Sequence, residues 1–209
     1  TNNTEELAKA DIILLPGSKS TLDDLYELRR NGVAQAILHA HRQGASVMGI
    51  CGGYQMMGLE VRDPDGVEGD IRQLPGLGLL PMITTMQGEK VTRQVTFHFR
   101  DNETACRGYE IHMGETEPVP GFPASPLNRL EDGRADGYFV DRKCMGSYIH
   151  GILDNQVFID FLLEPYAGKL NRQTLDYKTY KEEQYDKLAA HVRKHLNLPL
   201  LYQIMRNND

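Results

Sequence analysis

Gly49-Ile50-Cys51-Gly52-Gly53-Tyr54-Gln55 carries the strongest chemical signal in this sequence. It follows the short apolar run Ser46-Val47-Met48 and precedes Met56-Met57. A cysteine ending a strand, with two glycines directly after it, suits a nucleophile on a sharp strand-to-helix turn. Gly52 and Gly53 put no side chain over the sulfur. The first amides of the following helix then face the substrate, and the helix start is expected to lower the thiol pKa. Cys106, in the polar stretch Glu103-Thr104-Ala105-Cys106-Arg107, and Cys144, opening a strand, lack this setting.

A thiolate acting on an amide or ester needs an acid/base partner. Of seven histidines, His39 and His41 sit two apart on a helix and read as surface residues. His191 and His195 have helical spacing, but no Glu stands at 192 for a zinc motif, and no metal is expected. His98 lies among aromatics and reads as a strand residue. His112, in Gly108-Tyr109-Glu110-Ile111-His112-Met113-Gly114, and His150, ending Ser147-Tyr148-Ile149-His150-Gly151, could each reach a crevice at strand ends. The residues alone do not choose between them.

The elements that position these groups read as an α/β chain. Ile12-Ile13-Leu14-Leu15, stopped by Pro16-Gly17, suits a strand buried on both faces of a parallel sheet. Ser20 or Thr21 caps a helix carrying Leu22, Leu25 and Leu28 and ended by Asn31-Gly32. A second helix runs from Val33 to Gln43 and stops at Gly44. Pro16-Gly17-Ser18 and Cys51-Gly52-Gly53 both fall at strand carboxyl ends, where open sheets bind ligands. Residues 1–10 read as a polar linker. From Leu74 to Tyr148 short alternating segments suggest added antiparallel strands: Gly78 to Ile83, Val91 to Phe99, Tyr109 to Met113, Gly137 to Val140 and Met145 to Ile149. Glu117 to Asp136, rich in proline, reads as a surface loop. Leu188, Val192, Leu196 and Leu200 suggest one amphipathic terminal helix. The expected organisation is a domain over 1–168 and a helical extension over 169–209 packed on it.

Size and charge bound the function. The chain has 209 residues, a formal net charge of −6 and a pI of about 5.6, which argues against a general nucleic-acid surface. No apolar run approaches a membrane span, no signal peptide opens the chain, and three cysteines without paired spacing fit a reduced cytoplasmic protein.

Gly49-Ile50-Cys51-Gly52-Gly53-Tyr54-Gln55 resembles the Gly-x-Cys-x-Gly-x-Gln nucleophile motif of class I (triad) glutamine amidotransferases. More narrowly, the chain is similar to the glutaminase domain of the cobyric acid synthase family. The segments that carry this are Leu15-Pro16-Gly17-Ser18-Lys19-Ser20-Thr21, Arg107 to Gly114, Tyr148-Ile149-His150-Gly151-Ile152-Leu153-Asp154 and Tyr185-Asp186-Lys187-Leu188-Ala189. The resemblance implies a flavodoxin-like fold: an open, mostly parallel sheet with helices on both faces. It implies that Cys51 attacks the side-chain amide of glutamine and that His150 is the acid/base. It places Gly52 with Gly17 or Ser18 at the oxyanion and Tyr54 and Gln55 at the glutamine pocket. Glu110 and His112 are either accessory residues, contacting the synthetase or shaping the pocket, or strand-packing residues. The resemblance also implies an N-terminal synthetase domain that uses ATP and Mg to amidate corrin carboxylates with the ammonia. No cofactor is expected in this chain, and the family's first sheet strand would lie upstream of Thr1.

The sequence departs from the triad pattern at one point. Position 152, two after the histidine, is Ile rather than Glu. Asp154 is either an accessory acid or a helix cap, and a Cys-His dyad is expected, with His150 oriented by a backbone carbonyl or another acid. Gly17-Ser18-Lys19-Ser20 lacks the upstream glycine of a phosphate loop. The alternatives are the related cobyrinate a,c-diamide synthases, another cysteine hydrolase or isomerase, or a silent docking or regulatory domain of the same fold.

Overall fold

The structure, a computed structural model, describes residues 1–169 and 177–206. The chain divides into two compact units, residues 1–162 and 163–209.

The first unit opens with α1 (Thr4–Leu7) in the stretch expected to be a linker. Asn3 makes it possible: its Oδ1 accepts from the Glu5 and Glu6 amides at 2.9 and 3.4 Å, and Leu7 is buried in the core. β1 (Ile12–Leu15), α2 (Thr21–Arg30), α3 (Val33–Arg42), β2 (Ser46–Ile50) and α4 (Gly52–Met56) follow in the expected order. Gly32 and Gly44 end the two longer helices with φ of 80° and 107°, values that cost a residue without Cβ little.

The first sheet has the order β1-β2-β10-β9, with β9 spanning Tyr138–Asp141 and β10 Cys144–Ser147. β1, β2 and β10 are parallel and β9 is antiparallel. β2 is buried on both faces. Its Val47 enters the cluster containing α2 and α3, while the next residue, Met48, enters the cluster containing Phe158 and Leu162 of α5 (Gln156–Leu163). β1 is different: it is an edge of this sheet and its Leu14 is exposed. The unbroken apolar run at 12–15 therefore does not mean burial on both faces.

The second sheet is larger. Its path is β11-β6-β5-β3-β4, with β3 spanning Glu60–Arg62, β4 Gln73–Pro75, β5 Met82–Phe99, β6 Ala105–Pro118 and β11 Ile149–His150. The short segments expected over 78–113 are in fact one long antiparallel pair, β5 with β6, whose register shifts between Met86 and Val91. That irregularity sits beside Gln87-Gly88-Glu89-Lys90, the polar stretch that splits the pattern in the sequence. The expected surface loop over 117–136 also contains strands, β7 (Asn128–Leu130) and β8 (Ala135–Asp136), and β7 pairs with β5.

One crossing positions the site. The chain runs along β10 in the first sheet to Ser147, passes Tyr148, and enters the second sheet as β11. Asp136 pins this crossing. Its buried carboxylate accepts from Ser147 Oγ (2.6 Å), Asn128 Nδ2 (2.8 Å) and the Tyr148 amide (2.9 Å).

In the second unit, the single terminal helix read from four-residue spacing is two helices, α6 (Tyr177–His195) and α7 (Leu198–Arg206). Leu196 falls in the break between them, and Leu188, Val192, Leu196 and Leu200 are all exposed. Among the described residues, no helix is long and apolar enough to cross a membrane.

Candidate active site

β1, β2 and β10 end at the same level, since Leu15 pairs with Gly49 and Ser147 with Ile50. Three turns therefore meet beyond their carboxyl ends: Pro16-Gly17-Ser18, Cys51-Gly52-Gly53 and the Tyr148–His150 crossing. The glycines allow this. A Cβ on Gly52 would lie 2.8 Å from the Ser18 amide nitrogen, and one on Gly53 would run into the Leu15 carbonyl. A Cβ on Gly17 would lie 3.1 Å from His150 Cε1 and 3.8 Å from Cys51 Sγ. The sulfur and the imidazole thus flank one point, with the glycine loop against it.

Cys51 has φ 55° and ψ −116° and directly precedes α4. Among the described residues, Arg100 is the only other non-glycine residue with positive φ. A non-glycine residue held there costs on the order of 1–3 kcal/mol, and such strain gathers at functional turns. Two ties hold the turn: the Cys51 amide donates to the Ser147 carbonyl (2.9 Å), and its carbonyl accepts from the Gln55 amide (3.0 Å).

The expected low thiol pKa is not what the surroundings produce. Burial is the largest influence on Cys51 and pushes its pKa up, and nearby Glu68 adds in the same direction. The Gly52 amide pulls the other way, as the helix argument requires, but it is outweighed. A helix of five residues presents few aligned peptides, so its field is weak against the loss of water around a residue that is only 6% exposed. The resting group is a thiol, and it donates to the Ile111 carbonyl at 3.2 Å. Cys106 and Cys144 are also raised by burial, Cys144 to about 12. It is backbone geometry, not acidity, that sets Cys51 apart.

His150 is half-buried on β11 beside Tyr109 of β6. Burial pushes its pKa down, and the Ile111 carbonyl partly opposes this. Its Nε2 is buried and has no hydrogen-bond partner among the described residues. Both members of the pair are thus neutral at rest.

His112 sits elsewhere. β6 alternates faces, so Glu110 and His112 point away from the face of Tyr109 and Ile111. His112 stacks on Tyr148 (3.9 Å between centroids), its Nδ1 lies 3.0 Å from the Gly114 carbonyl, and burial lowers its pKa. Glu110 is buried between Arg93 (2.5 Å) and Arg134 (3.2 Å). Glu110 and His112 line a cavity of about 550 Å³ that also touches Tyr54 and Tyr148.

Tyr54 and Gln55 are both buried, so they shape the crevice from behind. Tyr54 packs edge-on against Tyr148. Gln55 accepts from Thr21 Oγ1 (3.0 Å) and donates to the Tyr148 hydroxyl (3.2 Å), which wires α2 to the His150 crossing. Asp154 ends a 3-10 turn over Ile152–Asp154 and is exposed. It is not the helix cap the sequence suggested, because α5 begins at Gln156 after Asn155. Asn155 instead bridges to both backbone atoms of Arg107, at 2.9 Å each.

Two further residues belong to the site's framework. Ser20 makes no capping bond to α2; Glu68, from the loop between β3 and β4, accepts from the Thr21 amide at 2.6 Å. The other is Asp136. Neither carries a local sequence signal: each bonds to residues made adjacent only by the fold. The His191 and His195 rings lie 4.2 Å apart between centroids on α6, and among the described residues no group of three or more His, Cys, Asp or Glu could hold a metal ion.

Fold and site together define a glutamine amidotransferase. Residues 1–158 match the CobB/CobQ-like glutamine amidotransferase domain, and the chain belongs to that family. It is 80% identical over its whole length to a cobyric acid synthase of Phocaeicola vulgatus and 72% identical to one of Bacteroides fragilis. It spans 42% of the length of each. A crystal structure of a glutamine amidotransferase superposes with a TM-score of 0.58 at 19% identity, covering 78% of this chain and 83% of the other. PurLQS from Thermotoga maritima gives a TM-score of 0.53 at 18% identity, covering 75% and 80%. These two likenesses concern the fold alone.

Proposed function

We propose that this chain hydrolyses glutamine to glutamate and ammonia for a cobyric acid synthase, with Cys51 as nucleophile and His150 as acid/base. The observation that carries this reading is the shared contact point of Gly17, Cys51 and His150 at the ends of parallel strands.

The steps follow from two neutral groups. The Cys51 thiol turns from the Ile111 carbonyl toward the imidazole and gives up its proton as sulfur attacks the amide carbon of glutamine. The carbonyl oxygen takes the negative charge and receives hydrogen bonds from the Gly52 amide and the Gly17 or Ser18 amide. Collapse breaks the C–N bond, and the His150 proton leaves with the nitrogen as ammonia. His150 then takes a proton from water as the hydroxide attacks the γ-glutamyl thioester. Breaking the C–S bond releases glutamate and returns the proton to sulfur. Neutral imidazole suits this cycle because it must accept a proton twice per turnover.

The fate of the ammonia extends the reading. A synthetase portion of the same polypeptide, N-terminal to this one, would use ATP and Mg to activate corrin side-chain carboxylates, and ammonia would convert each to an amide. The share of the relatives' length left unmatched supports room for such a portion. A cytoplasmic setting fits this chemistry.

Labelling with the glutamine-like electrophile diazo-oxo-norleucine, read by intact mass and peptide mapping, tests the reading. One adduct on Cys51 is expected. No adduct on folded protein, or an adduct on Cys106, would remove its basis.

A further inference from the structure

Triad enzymes hold the histidine with an acid, and here the position that would supply it is Ile152, which is buried in the apolar core. Asp154 is exposed in the following turn and does not replace it. His150 nevertheless has a defined ring plane. The Tyr109 ring stacks on it with 5.0 Å between centroids and only 8° between planes.

The fold makes this stack. Tyr109 and His150 are directly opposed across the antiparallel β6–β11 pair, so the same backbone hydrogen bonds fix both Cα positions. β11 is only two residues long and is followed by Gly151, in the left-handed region, so the imidazole is restrained from β6, by the Tyr109 face and the Ile111 carbonyl, rather than by its own strand. Gly108, just before Tyr109, brings the strands close: a Cβ there would lie 2.6 Å from the His150 carbonyl oxygen. Tyr109 itself is 42% exposed, so its ring is not needed to fill the core. Asn155 ties the β6 backbone at Arg107 to the turn after His150, at 2.9 Å in each direction.

We propose that Tyr109 is the positioning residue for His150, its ring face holding the imidazole plane toward Cys51 in place of the absent triad acid. This rests on the reading of Cys51 and His150 as the hydrolytic pair. An aromatic face fixes the ring plane without taking up Nε2, which has no hydrogen-bond partner among the described residues and stays able to exchange protons with sulfur, ammonia and water. The hydroxyl of Tyr109 has no part in this, so phenylalanine should serve as well.

The test compares Tyr109→Phe and Tyr109→Leu with wild type in the complete polypeptide that carries this domain, measuring glutamate release and diazo-oxo-norleucine labelling. Tyr109→Phe should stay within about twofold of wild type. Tyr109→Leu should lower kcat by roughly tenfold or more, with KM for glutamine and melting temperature nearly unchanged, as expected when orientation rather than binding is lost. Wild-type kcat in Tyr109→Leu would overturn the proposal, as would a parallel loss of kcat, KM and melting temperature in both variants. A wild type that neither hydrolyses glutamine nor labels at Cys51 would instead overturn the underlying assignment of the pair, and the proposal with it.

Discussion

The two halves of the site are built in opposite ways. The cysteine half is mostly local: a buried strand, a strained turn and two glycines within Ser46–Met56 place the sulfur, with distant ties only to the Ser147 and Ile111 carbonyls. The histidine half is assembled from afar. β6 supplies the stacked ring and the Ile111 carbonyl, Asp136 and Asn128 hold the crossing before His150, and Gln55 ties its neighbour Tyr148 to α2. The difference teaches that the proposed nucleophile is placed largely by its own turn, whereas the proposed acid/base depends on the second sheet staying docked against the first.

This contrast can be broken by substitution. The largest effect is expected on the local side. Cys51→Ala should remove glutamine hydrolysis by roughly 10⁴-fold or more while leaving the melting temperature at or above the wild-type value, since it removes the thiol proposed to form the thioester. Residual turnover near wild type, read by glutamate release, would end the covalent account.

On the distant side, Asp136→Asn should cost about 1–3 kcal/mol of stability, because one carboxylate oxygen pair now serves three donors and an amide cannot. Burial raises the Asp136 pKa, outweighing the Ser147, Asn128 and Tyr148 donors that lower it. A carboxyl raised on folding contributes stability below its unfolded-state pKa and loses it as pH rises through its folded-state pKa. Asp136→Asn should therefore flatten the slope of melting temperature against pH in the mildly acid range. An unchanged slope would show that this group is not the source.

Gly17→Ala probes the point where the halves meet. Its methyl would press on His150 Cε1 at 3.1 Å in a backbone conformation that alanine can adopt. A loss of about tenfold in kcat/KM is expected, roughly 1.4 kcal/mol, with folding unaffected. Full activity would mean that the gap between sulfur and imidazole is wider than the structure places it.

The smallest effect is spectroscopic. Because burial holds Cys51 up and His150 down, a difference spectrum between wild type and Cys51→Ala at pH 7 should show almost no thiolate absorbance near 240 nm. A full thiolate signal would mean that a preformed thiolate–imidazolium pair replaces the neutral one.

What the sequence revealed follows the same division. The Cys51 turn, the Gly17 loop, α2, α3 and the strands beneath them were legible because apolar periodicity and glycine placement are local signals. The choice of His150 over His112 rests on resemblance; in the structure a Cβ on Gly17 would meet both His150 and Cys51, while His112 stacks on Tyr148. The long β5–β6 pair was hidden by the polar stretch at 87–90, where the register shifts and side chains face solvent. Glu68 capping α2 across 47 residues, Asp136 under the crossing and Tyr109 on His150 had no local signal. The thiol pKa was misjudged because a sequence shows that a helix starts but not how deeply its first residue is buried.

The central claim is that Cys51 and His150, not His112, form the hydrolytic pair. It is tested most directly by measuring glutamate release and Cys51 labelling in His150→Ala and His112→Ala side by side. Loss of turnover by about 10²–10⁴-fold is expected in His150→Ala, with Cys51 labelling and most activity retained in His112→Ala. A dead His112→Ala beside an active His150→Ala would contradict the account.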